Sequence, residues 1–318
     1  MRLLLALYVG AAAAGCAGAG RGSPAPRAPA ARPAFEAISL LGDTLRAPAL
    51  APAIRQGYEQ RLREAERDVA ARPNDPDALI WLGRRTAYLG RYREAVAIYT
   101  RGIARWPNDA RFYRHRGHRR LTVRELDRAA QDFARAAELV RGRPDEVEPD
   151  GLPNSRNTPT STLQSNIWYH LGLARYLRGD FAGALAAYDE CLAVSRNFDM
   201  LAATTYWRYF TLRRLGRSDE AAATLAPISR DLDIIENRSY HRLLLLFKGE
   251  MPEDSVLPAG ERSSLDDATV GYGVGAWHLV NGRRAQATPL FQRVLEGTNW
   301  PAFGYLAAEA ELARLRSR

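Results

Sequence analysis

The hydrophobic positions of residues 76–106 recur with the spacing of two paired amphipathic helices. A first helix is indicated by residues at i, i+3, i+4 and i+7, which share one face: Leu79, Leu82, Gly83 and Thr86. A second helix is indicated by a similar set after Gly90: Ala95, Ile98, Tyr99, Gly102 and Ile103. Small residues in both sets allow the two helix axes to approach closely. The pattern predicts a helical hairpin with Gly90 in its turn.

The hairpin pattern returns at a fixed interval. Pro73-Asn74-Asp75 precedes the first copy, and Pro107-Asn108-Asp109 precedes the next one 34 residues later. Pro107 stops a helix, and Asn108 or Asp109 can cap the helix that follows. Weaker copies follow over 110–143, from 165, over 202–235 and from 268. A period of this length predicts a solenoid, in which each helix pair packs only on its neighbours.

The first copy resembles the tetratricopeptide repeat (TPR) family through its spacing of small and large residues: Leu79, Leu82, Gly83, Gly90, Tyr92, Ala95, Tyr99, Gly102 and Pro107. The resemblance implies an all-α fold, a right-handed superhelical solenoid of antiparallel helix pairs. The copy at 202–235 departs from the pattern because Tyr209 stands where a small residue belongs. Solenoid ends need capping helices with a polar outer face, which we expect over 53–72 and 302–316.

Three further segments define the predicted organisation around the repeats. Residues 17–35 are rich in Ala and Pro, which indicates a disordered tether. The helical solenoid is expected over 36–318, with an insert at 141–164 that contains four prolines. Residues 236–267 show one helical pattern without a clear partner, which indicates a degenerate repeat.

The insert 141–164 is expected to lie across or beside the groove of the solenoid, because it joins two neighbouring repeats. Its acidic residues could then meet arginines of the first two repeats, namely Arg84, Arg111 or Arg114. Those acidic residues are Asp145, Glu146, Glu148 and Asp150. Surface ion pairs are weak, so docking would need apolar contacts from Val147 and Leu152. The alternative is a mobile loop without contact to the groove.

The N-terminal residues 1–16 have the pattern of an export signal. Arg2 is followed by an apolar stretch and by Ala13-Ala14-Gly15-Cys16. These last four residues resemble a bacterial lipobox, which implies that Cys16 is lipidated and anchors the chain to a membrane. By the same resemblance, Ala17 after the cysteine indicates an outer-membrane lipoprotein that faces the periplasm. The alternative is a signal that is cleaved without lipidation, leaving a secreted or periplasmic soluble protein.

Composition narrows the class of partner. With 318 residues and 46% hydrophobic content, the chain can bury a continuous core. The formal charge is +9, but all 45 basic residues except Lys248 are arginines spread along the chain. Because no basic run stands out, no nucleic-acid partner is predicted.

Cys191 occupies a small-residue core position, which predicts a buried and inert thiol.

No catalytic motif is found in the sequence. A zinc-protease helix, a Gly-x-Ser-x-Gly elbow, a phosphate loop and a metal-spaced Cys pair are all missing, so no catalytic residue and no cofactor are predicted. His115 and His118 could share a helix face, but no third ligand is evident and no metal site is predicted. Solvated or partner-facing histidines are the simpler interpretation. The other histidines are expected in or beside the core: His170, His241 and His278.

The TPR resemblance also implies which side chains line the concave groove, where extended peptides bind in that family. Carried over copy by copy, these positions give ten candidate partner-binding residues: Arg84, Tyr88, Arg111, Arg114, His118, Asn166, Tyr169, Tyr176, Tyr206 and Arg213. One half of the groove is therefore cationic and the other aromatic. Arginine forks suit carboxylates, and aromatic walls suit apolar side chains. The Lys and Asn pattern of the family's carboxylate clamp is missing, so a C-terminal tail is not inferred.

The sequence thus favours a non-catalytic scaffold that binds a peptide or protein partner, in a process such as envelope assembly. The alternative is an enzyme or small-ligand receptor, whose insert closes a pocket over the groove: Arg114, His118, Asn154, Asn157 and Tyr169. A closed cavity that gathers His118, Glu148, Asp150 and Asn157 would favour the alternative. An open, continuous groove would favour the scaffold. The sequence does not predict the partner's identity or the oligomeric state.

Overall fold

The computed structural model describes residues 35–257 and 264–316, except for the side chains of 264–267. The predicted signal segment, Cys16 and nearly all of the tether lie outside these residues. The described part is almost entirely helical, which confirms the all-α prediction. None of its helices is both long and apolar enough to cross a membrane.

A short hairpin precedes fourteen described helices. Its strands are β1 (Ala37–Ile38) and β2 (Thr44–Leu45), paired antiparallel with Ala37 opposite Leu45. The helices are α1 (Pro52–Ala71), α2 (Pro76–Tyr88), α3 (Tyr92–Arg105), α4 (Ala110–Thr122), α5 (Leu126–Val140), α6 (Leu163–Arg178), α7 (Phe181–Val194), α8 (Phe198–Arg214), α9 (Ser218–Thr224), α10 (Arg238–Phe247), α11 (Glu253–Val256), α12 (Ser264–Val280), α13 (Arg284–Glu296) and α14 (Phe303–Arg316).

The helix pairs pack through one repeated contact, a glycine of the first helix against an aromatic ring of the second. A Cβ atom added to Gly83 in α2 would lie 2.4 Å from the ring of Tyr99 in α3. The same glycine-on-ring contact occurs 16 residues apart in three more pairs: Gly117 with Phe133, Gly172 with Tyr188, and Gly275 with Phe291. Only glycine leaves room for such rings. The predicted repeat register is therefore confirmed at α2/α3, α4/α5, α6/α7 and α12/α13.

The predicted cap before the second repeat is also confirmed, at Asp109. The Asp109 carboxylate accepts a hydrogen bond from the backbone N–H of Arg111 at 3.0 Å. Asp75 caps α2 in the same way through the N–H of Asp77 at 2.9 Å. Such side chains satisfy amides that have no partner within the helix. The fourth pair is the weakest, as expected, because Tyr209 occupies the glycine position and α9 has only seven residues.

The turn after α4 contains an arginine where the other pairs have glycine. Arg124 adopts φ = +67°, a conformation that Gly90, Gly179 and Gly282 adopt at the equivalent turns. A non-glycine residue in this left-handed backbone conformation costs about 1–3 kcal/mol, so contacts with neighbouring residues must hold Arg124 there. The buried Arg124 guanidinium forms two hydrogen bonds with the Glu309 carboxylate, at 2.7 and 3.1 Å. It also donates to the Trp300 carbonyl at 2.9 Å.

The prediction of a polar-faced closing helix at 302–316 is wrong. α14 is buried continuously from Gly304 to Leu312, because it folds back against α6, α12 and α13. Its two buried carboxylates are compensated, Glu309 by Arg124 and Glu311 by Arg214 and Arg314. The N-terminal hairpin adds a further link, since the backbone N–H of Leu40 donates to Glu309 at 3.2 Å. The first and last described segments thus meet.

Candidate functional site

The insert crosses the inner face of the solenoid, by which we mean the side formed by the first helices α2, α4, α6 and α8. Its two arms pair through one antiparallel bridge between Val147 and Thr162, beside which the N–H of Leu163 donates to the Glu146 carbonyl at 2.8 Å. Its far end reaches the loop before α10, where Arg156 pairs with Asp233 at 2.7 Å. The predicted docking of the insert is therefore present in the structure.

Glu148 is the acidic residue of the insert whose side chain is largely buried on the inner face, at 10% exposure. Its Oε2 lies 2.9 Å from Nε of Arg114 in α4 and accepts a hydrogen bond from the Asn166 amide of α6 at 3.1 Å. We call this group, made by Arg114, His115 and Asn166, the Glu148 seat. Arg114 is only 7% exposed, and its Nε makes no well-directed hydrogen bond despite the short distance. The contact is thus mainly electrostatic and poorly aligned.

His115 contributes to the seat in its neutral form. Burial, reinforced by the charge of Arg114, holds the pKa of His115 well below its usual range. Nη1 of Arg114 lies 3.1 Å from Nδ1 of His115. Because arginine only donates, Nδ1 accepts, which leaves the proton on Nε2. That Nε2 faces Oε1 of Glu148 at 3.8 Å.

The chain that follows Glu148 is held along α2. Nη1 of Arg84 donates to the Pro149 carbonyl at 2.7 Å, and Nη1 of Arg85 donates to the Gly151 carbonyl at 3.1 Å. Gly151 lies against Tyr88, since an added Cβ would be 1.9 Å from the Tyr88 hydroxyl oxygen. Three side chains of α2 therefore hold this part of the insert: Arg84 and Arg85 hydrogen-bond its carbonyls, and Tyr88 packs on Gly151. Arg85 was missed in the sequence analysis because the groove positions carried over from the family exclude it.

Other expected contacts of the insert are wrong or different. Val147 and Leu152 are 62% and 45% exposed, so they do not provide the apolar contacts that we expected. Asp145 does not meet an arginine of the groove; its carboxylate accepts the N–H of Gln164 at 3.0 Å at the start of α6. The insert is held instead by polar contacts to main-chain groups, by the Glu148 carboxylate and by the Arg156–Asp233 pair.

Of the two histidines expected to be solvated or partner-facing, His115 is buried, whereas His118 is half-buried and packs against other rings. Its ring lies 4.6 Å from that of His170 and 5.5 Å from that of Phe303 at the start of α14. Burial lowers the pKa of both His118 and His170, that of His170 to about 3. Nδ1 of His170 donates to the Asn166 carbonyl at 2.6 Å, so this histidine is satisfied in the core as expected. No metal-binding cluster occurs among the residues that the structure describes.

The aromatic half of the predicted groove is largely interior. Tyr176 and Tyr206 are 1% and 0% exposed, so neither can contact a partner in this conformation. The Tyr176 hydroxyl hydrogen-bonds the Tyr272 hydroxyl of α12 at 3.0 Å, and the Tyr206 ring packs against that of Tyr240 of α10 in a tilted arrangement, with 4.6 Å between centroids. The later helices α10 and α12 cover these rings. Tyr169 is also buried and accepts a hydrogen bond from Trp207 at 2.8 Å.

The two remaining predicted groove residues make internal links. Arg111 pairs with Asp77 and Asp109 at 2.5 and 2.7 Å, and its hydrogen bond with Asp109 raises its pKa. Arg213 donates to the Val280 carbonyl at 2.7 Å and so joins α8 to the end of α12. The structure therefore gathers Arg84, Tyr88, Arg114 and Asn166 around one segment and leaves the other predicted residues outside that group.

Several pockets open near the docked insert, and two of them bear on the predicted enzyme or receptor. One of about 160 Å³ lies beside the Glu148 seat, and its lining includes Glu148 and Asp150 but neither His118 nor Asn157. Another of about 270 Å³ is walled by aromatic and polar side chains of five helices and the loop before α10: Asn166, Tyr169, His170, Met200, Ala203, Glu236, Asn237, Ser239, Tyr240, Thr269 and Phe303. The single closed cavity that would favour an enzyme is not formed by these residues.

The period of 34 residues and the glycine-on-ring contacts define a TPR-like helical-repeat fold. No protein-family model and no curated protein matches the chain. Among solved structures, the chain is similar to YrrB, described as a TPR protein with an unusual peptide-binding site. The identity is 14% and the TM-score 0.43, covering 78% of this chain and 97% of that one.

Two further solved structures are similar at the same level. A tetratricopeptide repeat protein from Parabacteroides merdae shows 15% identity and a TM-score of 0.46, with 80% of this chain and 99% of that chain covered. The TPR domain of P58(IPK) shows 14% identity and a TM-score of 0.24, with 82% and 95% covered. At these scores the superpositions are loose, and the repeat architecture follows from the helix packing of the chain itself.

Proposed function

We propose that the chain is a non-catalytic repeat scaffold that binds a peptide or protein partner on its inner face. One observation carries the proposal: side chains from three successive first helices converge on one short segment of the insert, residues 148–151, through the Glu148 carboxylate and the backbone that follows it. Arg84 and Tyr88 come from α2, Arg114 from α4 and Asn166 from α6. Fixed donors on a rigid helical frame can hold a peptide by its carbonyls and by one acidic side chain.

Affinity capture from envelope extracts tests this proposal. The tagged full-length protein is compared with an Arg84→Ala/Tyr88→Ala variant, in which both replaced side chains are half-buried and so tolerate truncation. The matched control is Arg101→Ala, an exposed residue on the outer helix α3. We expect one partner to be enriched with the wild-type and control proteins and depleted with the double variant. Equal enrichment with all three would refute a partner site on the inner face.

We further propose that the scaffold is exported and anchored through Cys16 to the outer membrane, facing the periplasm. The support is the signal-like segment 1–16 and the Ala- and Pro-rich stretch that follows it. Cells fed with labelled palmitate should label the wild-type protein but not a Cys16→Ser variant. Equal label in both proteins, or no label in either, would contradict the lipid anchor. A role in envelope assembly fits this location.

A small-ligand receptor is the second candidate, and the pocket of about 270 Å³ favours it. Its walls include Tyr169, His170 and Phe303, which suit a small planar or apolar compound. Native mass spectrometry of the purified protein distinguishes the two functions. A compound that co-purifies at one per chain and is lost in a Phe303→Ala variant would support the receptor, whereas a ligand-free mass would favour the scaffold.

A further inference from the structure

We infer that the insert is an intramolecular stand-in for the partner, and that the partner presents an acidic residue within an extended peptide segment. This inference rests on the proposed function and specifies the chemistry of its site. Residues 148–151 of the insert already occupy the site as a ligand would. The Glu148 carboxylate fills the seat of Arg114 and Asn166, while the following carbonyls are held by Arg84 and Arg85.

The chemistry of the seat identifies the ligand class. Arg114 is almost fully buried, and a buried guanidinium without a counter-charge is strongly unfavourable. An anion must therefore occupy the seat whenever the inner face is closed. Asn166 donates to the same oxygen that Arg114 approaches, and neutral His115 adds no second positive charge. The seat thus fits one carboxylate, as glutamate or aspartate provides.

Glu148 occupies the seat as an internal residue of its segment, and the inferred ligand has the same arrangement. The backbone continues on both sides of the seat, through Glu146 into the antiparallel bridge and through Gly151 along α2. The inner face therefore recognises an internal acidic residue at the position of Glu148 and, three residues later, a small residue that packs against Tyr88.

The contacts of the insert also show why it can be displaced. Arg114 Nε lies 2.9 Å from the carboxylate but makes no well-directed hydrogen bond, so the ion pair is not optimal. The apolar side chains Val147 and Leu152 stay exposed and add little hydrophobic burial. A segment that places its carboxylate at a better angle, or that buries apolar groups, would replace the insert.

The insert's own sequence supplies the probe. A fluorescein-labelled copy of residues 147–154, with both ends blocked, is titrated into the wild-type protein and into a variant whose residues 147–161 are replaced by a short Gly-Ser linker. The ends of this replacement are close, because the N–H of Leu163 bonds the Glu146 carbonyl. A second labelled peptide carries glutamine at the position of Glu148.

We expect the linker variant to bind the first peptide at least about tenfold more tightly than the wild-type protein, whose tethered insert competes at high effective concentration. The glutamine peptide should bind the variant about tenfold or more weakly, because a charge-assisted contact is lost. No difference between the two peptides would overturn the inference. Failure of a normally folded linker variant to bind either peptide would overturn it as well.

A point variant in the intact chain covers the case in which the linker variant does not fold. Glu148→Gln should release the insert and accelerate tryptic cleavage at the exposed Arg156, whereas Glu146→Gln removes the same charge from an exposed side chain and should not. Equal cleavage rates would overturn the inference. Because neither assay requires the natural partner, they can fail while affinity capture succeeds, and the two proposals are separable.

Discussion

A methyl group added to Gly172 should destabilise the solenoid, whereas the same change at Gly57 should stabilise it. At Gly172 in α6, the new Cβ would lie 2.4 Å from Cε1 and 2.7 Å from Cδ1 of Tyr188, a ring that is fully buried. Overpacking of this kind costs about 1–3 kcal/mol, and the better helix propensity of alanine offsets about 0.8–1.0 kcal/mol. We therefore expect a net loss of up to about 2 kcal/mol in the free energy of unfolding.

Gly57 is the matched control, because it lies inside α1 with no heavy atom within 4 Å of an added Cβ. Only the propensity gain remains there, so Gly57→Ala should raise the free energy of unfolding by up to about 1 kcal/mol. Urea unfolding followed by far-ultraviolet circular dichroism measures the free energy of unfolding of both variants. The comparison holds if this free energy depends on urea concentration with the same slope in both variants and the wild-type protein. Shifts of the same sign would refute the glycine-on-ring register on which the repeat assignment depends.

Three further predictions concern buried polar groups. Glu309→Ala leaves Arg124 buried without its carboxylate partner and should lower the free energy of unfolding by about 3–5 kcal/mol in a urea titration. Glu138→Ala, which breaks an exposed pair with Arg135, is the control and should change the free energy of unfolding little. Equal effects of the two substitutions would contradict the Arg124–Glu309 link. Burial lowers the pKa of three histidines, namely His115, His118 and His170. Below about pH 6.5 the unfolded chain therefore binds more protons than the folded chain. The free energy of unfolding should then fall as the pH is lowered from about 7 to about 5. His118→Gln should flatten this dependence, and an unchanged dependence on pH would argue against a lowered pKa of His118. Burial raises the pKa of the Cys191 thiol to about 11, so a thiol reagent should modify Cys191 only as fast as the chain unfolds, and complete reaction on mixing would contradict its burial.

Local spacing was enough to predict the helix pairs and part of the site. The i, i+3, i+4 pattern and the caps at Asp75 and Asp109 depend on neighbours within one helix. The same register places Arg84, Arg114 and Asn166 on one face of successive first helices. The contacts of Arg84 and Arg114 with the insert could therefore be anticipated, whereas that of Asn166 was not predicted.

Contacts between distant segments could not be predicted in this way. Tyr176 and Tyr206 are covered by α12 and α10, and no local pattern indicates that later helices return over the inner face. The burial of α14 has a visible signal in retrospect, the run of small residues at Gly304, Ala307 and Ala308. Arg124 offered another, because a charged residue replaced the turn glycine seven positions after Gly117.

Site-specific photo-cross-linking in growing cells tests the central claim most directly, namely that the inner face binds a partner. A photoreactive residue replaces Tyr88 on the inner face or, as the control, Arg101 on the outer helix α3. We predict an intermolecular product from position 88 and not from position 101, increased when Glu148→Gln frees the seat. A product from position 101 alone, or equal products from both positions with and without Glu148→Gln, would contradict the account.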